Sequence, residues 1–468
     1  KAAESAHIIV ANHALLVADA ASDGRVLPPY SHLVIDEAHH LEEAITNGMT
    51  FFINVDTFSN RLADLGGLQR GLFGELLRHF RRVGSEKDTM RLEMFVQTLE
   101  EAVKEMNIHA RAFFVSLQTF VRDAHNARGS EYTAFVRISA QNRHRASFDE
   151  VGSHWGNLQE YLEVLSQKLA QLHKWLAKFA GDATLMLEDF TFSIETAIRY
   201  FNEVSINLQA LTKQPDPAMI YWLEMGQAGS DLPSVNIAPL NVGTLADEHL
   251  WRKTESVVLT SATLRSGEGV DFLRERLRLE GVDMLDVGSP FDYRNAALLY
   301  LAHDIPEPND RVGYQKAVER GIIELASALE GRVLVLFTSY AHLKQTAQAI
   351  TPRLALGNIA VYDQSDGSSR QSLLESFTTS QKAVLLGTRS FWEGVDIPGP
   401  ALSALVITRL PFTVPTDPIF SARSELYTTP FDEYAVPDAV LRFRQGFGLL
   451  IRRASDKGIV TVFDSRIT

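Results

Sequence analysis

The sequence predicts an α/β protein with two parallel-sheet units, the first incomplete and interrupted by a large, mostly helical insertion. Three observations carry that prediction. Short apolar runs end abruptly in polar residues, as in Leu33-Val34-Ile35 before Asp36-Glu37-Ala38-His39 and Val257-Val258-Leu259 before Thr260-Ser261-Ala262-Thr263. Such runs read as buried parallel strands that deliver their chemistry at the carboxyl end. Between them lies a long tract with helical periodicity, and after Gly288-Ser289-Pro290 strand and helix signals alternate to the end of the chain, the pattern of a sheet covered on both faces.

Length and composition set the bounds. A chain of 468 residues exceeds one ordinary core and points to several domains. The formal net charge of −13 (45 basic against 58 acidic residues) speaks against a polybasic, DNA-coating protein, while leaving room for basic residues confined to a groove. No apolar run reaches membrane-spanning length and the N-terminus lacks a signal-peptide layout, so no membrane partner and a cytoplasmic location are expected. With zero cysteines, these residues hold no disulfide and no cysteine-ligated iron–sulfur cluster.

In chain order, residues 1–45 read as the first part of an α/β domain. A helix at the start runs into a strand at His7–Val10, and Asn12-His13-Ala14-Leu15-Leu16 and a Pro28-Pro29 loop lead to Leu33-Val34-Ile35. The Asp36-Glu37 pair that follows is what nucleotide hydrolysis on Mg²⁺ requires, one carboxylate for the metal's water shell and one to polarise the attacking water. An exposed acidic strand end is the alternative reading. The Gly-x-x-x-x-Gly-Lys-Ser/Thr loop that cradles phosphates is absent from the 468 residues. The chain starts inside one expected element and stops just after the strand at 458–463, so both ends read as cut.

Residues 46–238 form the expected helical insertion. Trp155, Leu158, Leu162, Leu165, Leu169, Leu172, Leu176 and Phe179 alternate steps of three and four, and Leu187, Phe190, Ile194, Ala197, Phe201, Val204, Leu208 and Leu211 repeat the pattern after Gly181-Asp182. This predicts an antiparallel helical hairpin with coiled-coil-like packing, continued upstream by Leu92, Phe95, Leu99, Ala102 and Met106. These stripes are core positions without chemistry. Arg137, Arg143, His144 and Arg145 make a basic cluster near a strand at 132–138 that reads as a solvated face or, alternatively, a phosphate contact. Tyr221–Met225 and Val235–Ala238 predict a β-hairpin returning the chain to the first domain, which resumes over 239–288. The second α/β unit, 289–468, is expected to hold helices near 314–329, 341–350 and 438–453. Its expected strands are at 333–337, 383–386, 404–407 and 458–463.

Four motifs in order narrow the reading. They are Asp36-Glu37-Ala38-His39, Thr260-Ser261-Ala262-Thr263, the run Gly387-Thr388-Arg389-Ser390-Phe391-Trp392-Glu393-Gly394-Val395-Asp396-Ile397-Pro398-Gly399, and Gln445-Gly446-Phe447-Gly448-Leu449-Leu450-Ile451-Arg452. They match motifs II, III, V and VI of superfamily 2 helicases, and the chain closely resembles the DinG/XPD branch, the bacterial DinG-like members above all. The resemblance implies two RecA-like motor domains, an arch inserted into the first, ATP and Mg²⁺ as cofactors, and single-stranded, forked or duplex DNA as partners of a monomer. It implies that Asp36 binds Mg²⁺ through water and that Glu37 activates the attacking water. His39 would couple the nucleotide to Ser261 and Thr263. Thr388, Glu393, Gly394 and Asp396 would line the cleft from the second domain. Gln445 and Arg452 would face the nucleotide, Arg452 as an arginine finger. Phe391-Trp392 reads equally as core packing or as base stacking.

One departure matters. The family pattern Gln-x-x-Gly-Arg-x-x-Arg has Leu449 at its first arginine. The phosphate loop and, in some members, four cluster-binding cysteines lie upstream in this family, so an iron–sulfur cluster belongs only to that region. The expectation is an ATP-dependent DNA helicase motor working 5′→3′ in repair or replication, with these 468 residues alone unable to turn over ATP. The competing readings are a non-hydrolysing single-strand binding or scaffold module, and a translocase that does not unwind.

Overall fold

The computed structural model describes residues 3–128, 135–179, 187–226, 231–264, 271–392, 395, 397 and 399–467. The chain divides into two compact units. One comprises Lys1–His32, His40–Ser256 and Pro415–Glu425, the other Leu33–His39, Val257–Val414 and Leu426–Thr468.

The expected strand at His7–Val10 does not form. Ile8 is 82% and Val10 94% exposed, because an apolar run becomes a strand only beside a neighbour that pairs its backbone. Asn12 instead caps the helix His13–Ala21, its side chain accepting from Leu15 N at 2.8 Å. The first strand is β1 (His32–Ile35).

The first unit is dominated by helices. Glu86–Arg128, 43 residues long, Ala146–Leu176 and Glu188–Thr212 pack side by side with Ala146–Leu176 between the other two. All seven apolar stripe positions from Trp155 to Leu176 are at most 1% exposed, and Ile194, Phe201, Val204, Leu208 and Leu211 face them from the next helix. The periodicity therefore located the core; the Gly181-Asp182 turn lies outside the described residues. The insertion also contains a four-stranded antiparallel sheet, β2 (Phe51–Ile53), β3 (Phe135–Arg137), β4 (Met219–Glu224) and β5 (Ser234–Pro239), ordered β2-β5-β4-β3. The expected hairpin is its centre, β4 pairing β5 from Met219↔Pro239 to Glu224↔Ser234.

The segment Pro415–Glu425 belongs to this unit although its chain neighbours do not. Its short helix Pro418–Ser424 lays Ala422 and Ile419 against Ile220, Trp222 and Ala238. Arg423, 7% exposed, donates to Glu42 Oε1 (2.7 Å), Thr46 Oγ1 (2.8 Å) and the carbonyls of Pro239 (3.1 Å) and Leu240 (3.0 Å). A buried guanidinium so fully bonded holds three segments together. The basic cluster is structural too. Arg137 forks onto Glu425 at 2.5 and 2.8 Å, and Arg143 donates to the Leu211 carbonyl with its guanidinium over Phe148 and Tyr221. Burial pulls the Arg143 pKa down. Arg145 bonds Asp123. The three arginines of the cluster are thus spent on internal partners, while His144 is exposed.

In the second unit β1 pairs with β6 (Ser256–Leu259). Ser31 O accepts from Glu255 N at 2.7 Å and Ile35 O from Thr260 N at 2.9 Å, so the two strands run in the same direction. The larger sheet has six parallel strands: β7 (Ala297–Leu301), β8 (Val333–Leu336), β9 (Ala360–Asp363), β10 (Ala383–Gly387), β11 (Ala404–Ile407) and β12 (Gly458–Val462). Their order is β7-β12-β11-β8-β10-β9. Val333 and Val335 enter one core with the helices Arg311–Ala328 and Tyr340–Ala355, while Leu334 and Leu336 enter another with Phe377, Phe391 and Trp392. Both faces are covered, as the apolar strand runs require. β7 and β9 escaped the sequence reading, being edge strands with mixed exposure. The last helix is shorter than expected: Val436–Phe447 ends before Gly448, and Leu449, Leu450 and Ile451, each 2% exposed, drop into the core as a turn.

Candidate active site

The paired ends of β1 and β6 create the first half of the site. Ile35 is buried at 2%, and the next two residues, Asp36 and Glu37, turn out into solvent. Glu37 has φ +50°, a left-handed conformation that costs a side-chain-bearing residue about 1–3 kcal/mol. The turn persists because Ala38 N donates to Thr260 O at 3.0 Å and Ala38 is buried. It brings His39 back against the Glu37 carboxylate.

The His39 side chain is 8% exposed. Its Nδ1 lies 2.6 Å from Ser261 Oγ and 3.3 Å from Glu37 Oε2. Ser261 Oγ lies 3.4 Å from the same Oε2 and accepts from Thr263 N at 3.1 Å. One assignment satisfies every atom: His39 Nδ1–H and Thr263 N–H donate to Ser261 Oγ, whose own proton goes to Glu37. An exposed carboxylate on one strand end is thereby linked, through one hydroxyl, to the backbone beyond the next strand. Thr263 Oγ1 is buried without a partner among the described residues.

The exposed Asp36 carboxylate is a suitable donor for a hydrated divalent cation. Mg²⁺ keeps several waters and takes one or two carboxylates plus substrate phosphates rather than a full protein cage.

A second group of motif residues lies at and after the end of β10. Thr388 donates from both N and Oγ1 to Gln364 Oε1, each at 2.8 Å, and Gln364 Nε2 donates to Ser390 Oγ at 2.9 Å. Phe391 is fully buried and Trp392 is 5% exposed with Nε1 3.4 Å from Phe337 O, which makes both core residues. Glu393, Gly394 and Asp396 lie outside the described residues; Val395 and Ile397 between them are 1% exposed. Gly446 is required by close approach, since a Cβ there would meet the Trp392 ring at 2.9 Å. Gln445 is half-buried beside it. Arg452 sits on a turn, not on the expected helix. Asp456 Oδ2 accepts from the backbone N of Arg452 (3.0 Å) and Arg453 (2.8 Å), and Arg452 Nη2 donates to Val395 O at 3.0 Å. The structure therefore joins Glu37, His39, Ser261 and Thr263 in one network, Thr388 to Gln364, and Arg452 to the segment holding Val395.

A buried cluster braces the ends of β8 and β11. Tyr314 OH donates to Thr408 O, the Arg409 guanidinium lies 4.9 Å over the Tyr314 ring, and His342 meets Phe337 edge-on at 5.0 Å. Burial, with Arg409 nearby, pushes His342 down to about 4. Burial alone would raise Asp464, but its bonds to Arg466 and to Leu410 N hold it below the usual carboxylate value.

Sequence reasoning missed Gln364, Asp456 and Arg423. Gln364 follows β9, a strand the sequence did not reveal, and so carried no signal of its own. Asp456 was findable in the Ser455-Asp456-Lys457-Gly458 turn. Arg423 carries no local signal, because its partners lie at 42, 46, 239 and 240.

Comparison with known proteins places these networks in context. The family described as "Helicase C-terminal domain" matches residues 322–468. The "ATP-dependent helicase DinG" of Mycobacterium tuberculosis is 30% identical over 475 residues, covering 100% of this chain and 62% of that protein. The "3'-5' exonuclease DinG" of Bacillus subtilis is 29% identical over 98% of this chain and 50% of its own length, and the "ATP-dependent DNA helicase YoaA" of Escherichia coli is 28% identical over 100% and 65%. The chain thus spans between half and two thirds of the length of these relatives. With relatives aligned along its whole length and residues 322–468 matching a helicase C-terminal family, the chain is similar to the DinG-like branch of the superfamily 2 helicases.

Proposed function

We propose that this chain is the greater part of an ATP-driven motor that moves along single-stranded DNA, 5′→3′, and opens duplex or forked DNA in repair or replication, acting as a monomer. The observation that carries the proposal is the Glu37–Ser261–His39 network at the ends of β1 and β6. In this reading residues 1–45 and 239–288 contribute to the first motor domain, 46–238 form the arch, and 289–468 form the second motor domain.

ATP is the substrate. Glu37 orients a water and draws off its proton as the water oxygen bonds to the γ-phosphorus and the bond to the ADP oxygen breaks. Asp36 would hold the hydrated Mg²⁺ that accompanies ATP, and the ion would supply screening of the phosphate charge. Arg452, together with Gln445, meets the developing charge, Arg452 as an arginine finger, a contribution of about three to five orders of magnitude in rate. His39 and Ser261 report the state of Glu37 to Thr263, and Thr388, Glu393, Gly394 and Asp396 carry nucleotide state to the DNA-facing side of the second domain.

A test of direction and coupling uses the full-length gene product on duplexes with a single-stranded tail. ATP-dependent opening of the 5′-tailed substrate alone is expected; opening of only the 3′-tailed one overturns the direction. Displacement of a protein block from single strands, with every duplex left intact, supports a translocase instead.

A second reading rests on Leu449. It is buried at 2% where the family pattern has an arginine, so it offers no donor to a phosphate. Together with a Bacillus relative named as an exonuclease, this supports a nucleic-acid-binding module that holds nucleotide without rapid hydrolysis. ATP turnover that stays at its basal level with and without oligonucleotide favours this second reading.

A further inference from the structure

A groove of about 530 Å³ runs between the helices Glu86–Arg128 and Ala146–Leu176. Its floor is Leu92, Leu172 and Phe95, and Met94, 66% exposed, forms a wall. The rim carries Arg91, Lys174 and Lys178, all exposed, and no acidic side chain lines it. Among the described residues none of these three cations has a hydrogen bond or ion pair. The dipole of the helix ending at Leu176 favours Lys174 and Lys178, but Arg91 stands near the start of the other helix, where a cation opposes the dipole. A concentration of unpaired positive charge on a chain of net charge −13 therefore requires another reason.

We infer that this groove on the helical insertion docks an acidic amphipathic helix of a partner protein. The apolar floor takes the partner's aliphatic side chains, and the three cations take carboxylates along its polar edge. A groove of this size accommodates several side chains, and the exposed Met94 adapts to their shape. Single-stranded nucleic acid also carries negative charge, but base stacking needs an open aromatic face. Trp175, the largest ring in the groove, is already packed against Phe80 (5.3 Å) and Phe179 (5.0 Å). The remaining surface is aliphatic and thioether apart from Phe95, and a single half-buried ring is no platform for successive bases. This inference is independent of the ATP reading above.

The test is fluorescence anisotropy with the full-length protein and a fluorescein-labelled synthetic helix with leucine on one face and glutamate on the other. Saturable binding is expected, weakened about ten-fold by Lys174→Glu with Lys178→Glu, the size expected for partly desolvated charge pairs at a rim. Met94→Glu weakens it by removing the wall. A scrambled peptide of the same composition binds no better than background. All three positions are exposed, so unchanged melting curves accompany these losses. No saturable binding, equal binding by the scrambled peptide, or indifference to the charge reversals overturns the inference. Tighter binding of oligo(dT), abolished by the same reversals, overturns it in favour of a nucleic-acid site.

Discussion

The helical insertion and the strand-end site are held together in opposite ways. Along Ala146–Leu176 each core residue is set by its neighbours three and four positions away, and the side chains are apolar and interchangeable in kind. At the ends of β1 and β6 the partners are polar, specific and 222 residues apart in the His39–Ser261 pair. The first region stores stability in buried area, spread over many contacts. The second holds a left-handed Glu37 in place through one backbone bond and one hydroxyl. Substitutions in the insertion should therefore move stability, and substitutions at the strand ends should move turnover.

The largest stability effect expected is at Trp155, fully buried between helices. Trp155→Ala costs about 3–5 kcal/mol, read as a shift in urea midpoint of the first unit. A loss below about 1 kcal/mol would mean that the stripe is not a packed core. Arg423→Ala comes next, at about 3–5 kcal/mol, because Glu42, its side chain 11% exposed, is left without its cation. Adding Glu42→Ala should recover part of that loss, and a double-mutant cycle without coupling would contradict the hub.

His342 supplies a pH-dependent case in the second unit. Its pKa is lowered from 6.5 to about 4 by burial and Arg409, so between those values the unfolded chain takes up a proton that the folded chain refuses. Stability therefore falls as pH drops from 6.5 toward 4, by about 3 kcal/mol for the full shift. His342→Phe, placed among Tyr314, Phe337 and Arg409, should flatten that slope in melts between pH 7 and 4. An unchanged slope would assign the acid sensitivity elsewhere. Smallest is Asn54→Ala, which removes the capping box at Val55–Leu65 and costs about 1 kcal/mol.

What was legible in the sequence follows from the same contrast. The helical stripes and the fully buried strands Val333–Leu336, Ala383–Gly387 and Ala404–Ile407 write their burial into local composition, so they were readable. Ile8-Ile9-Val10 looked alike and stayed exposed, since composition cannot say whether a strand has a neighbour. The motif residues were recognisable by type and order, yet the geometry around them was not. Arg452 was expected on a helix, and instead Asp456 folds the chain into a turn around its backbone. Arg137, Arg143 and Arg145 resembled a surface patch because their partners, Glu425, Leu211 and Asp123, are remote in sequence. Phe391-Trp392 could be placed only once Gly446 and Phe337 were seen against the ring.

The network of Glu37, His39 and Ser261 also predicts a separation of functions. Ser261→Ala should leave basal ATP turnover near wild type while reducing its stimulation by single strands, because the Glu37 carboxylate survives and its hydroxyl link to Thr263 does not. The most direct test of the central claim is ATP turnover by the full-length protein with and without a single-stranded oligonucleotide, wild type beside Glu37→Gln. The account predicts strong stimulation in the wild type and loss of about two orders of magnitude or more in the variant, as for a missing catalytic base. Equal turnover by the two proteins, or stimulation by duplex alone, would contradict it.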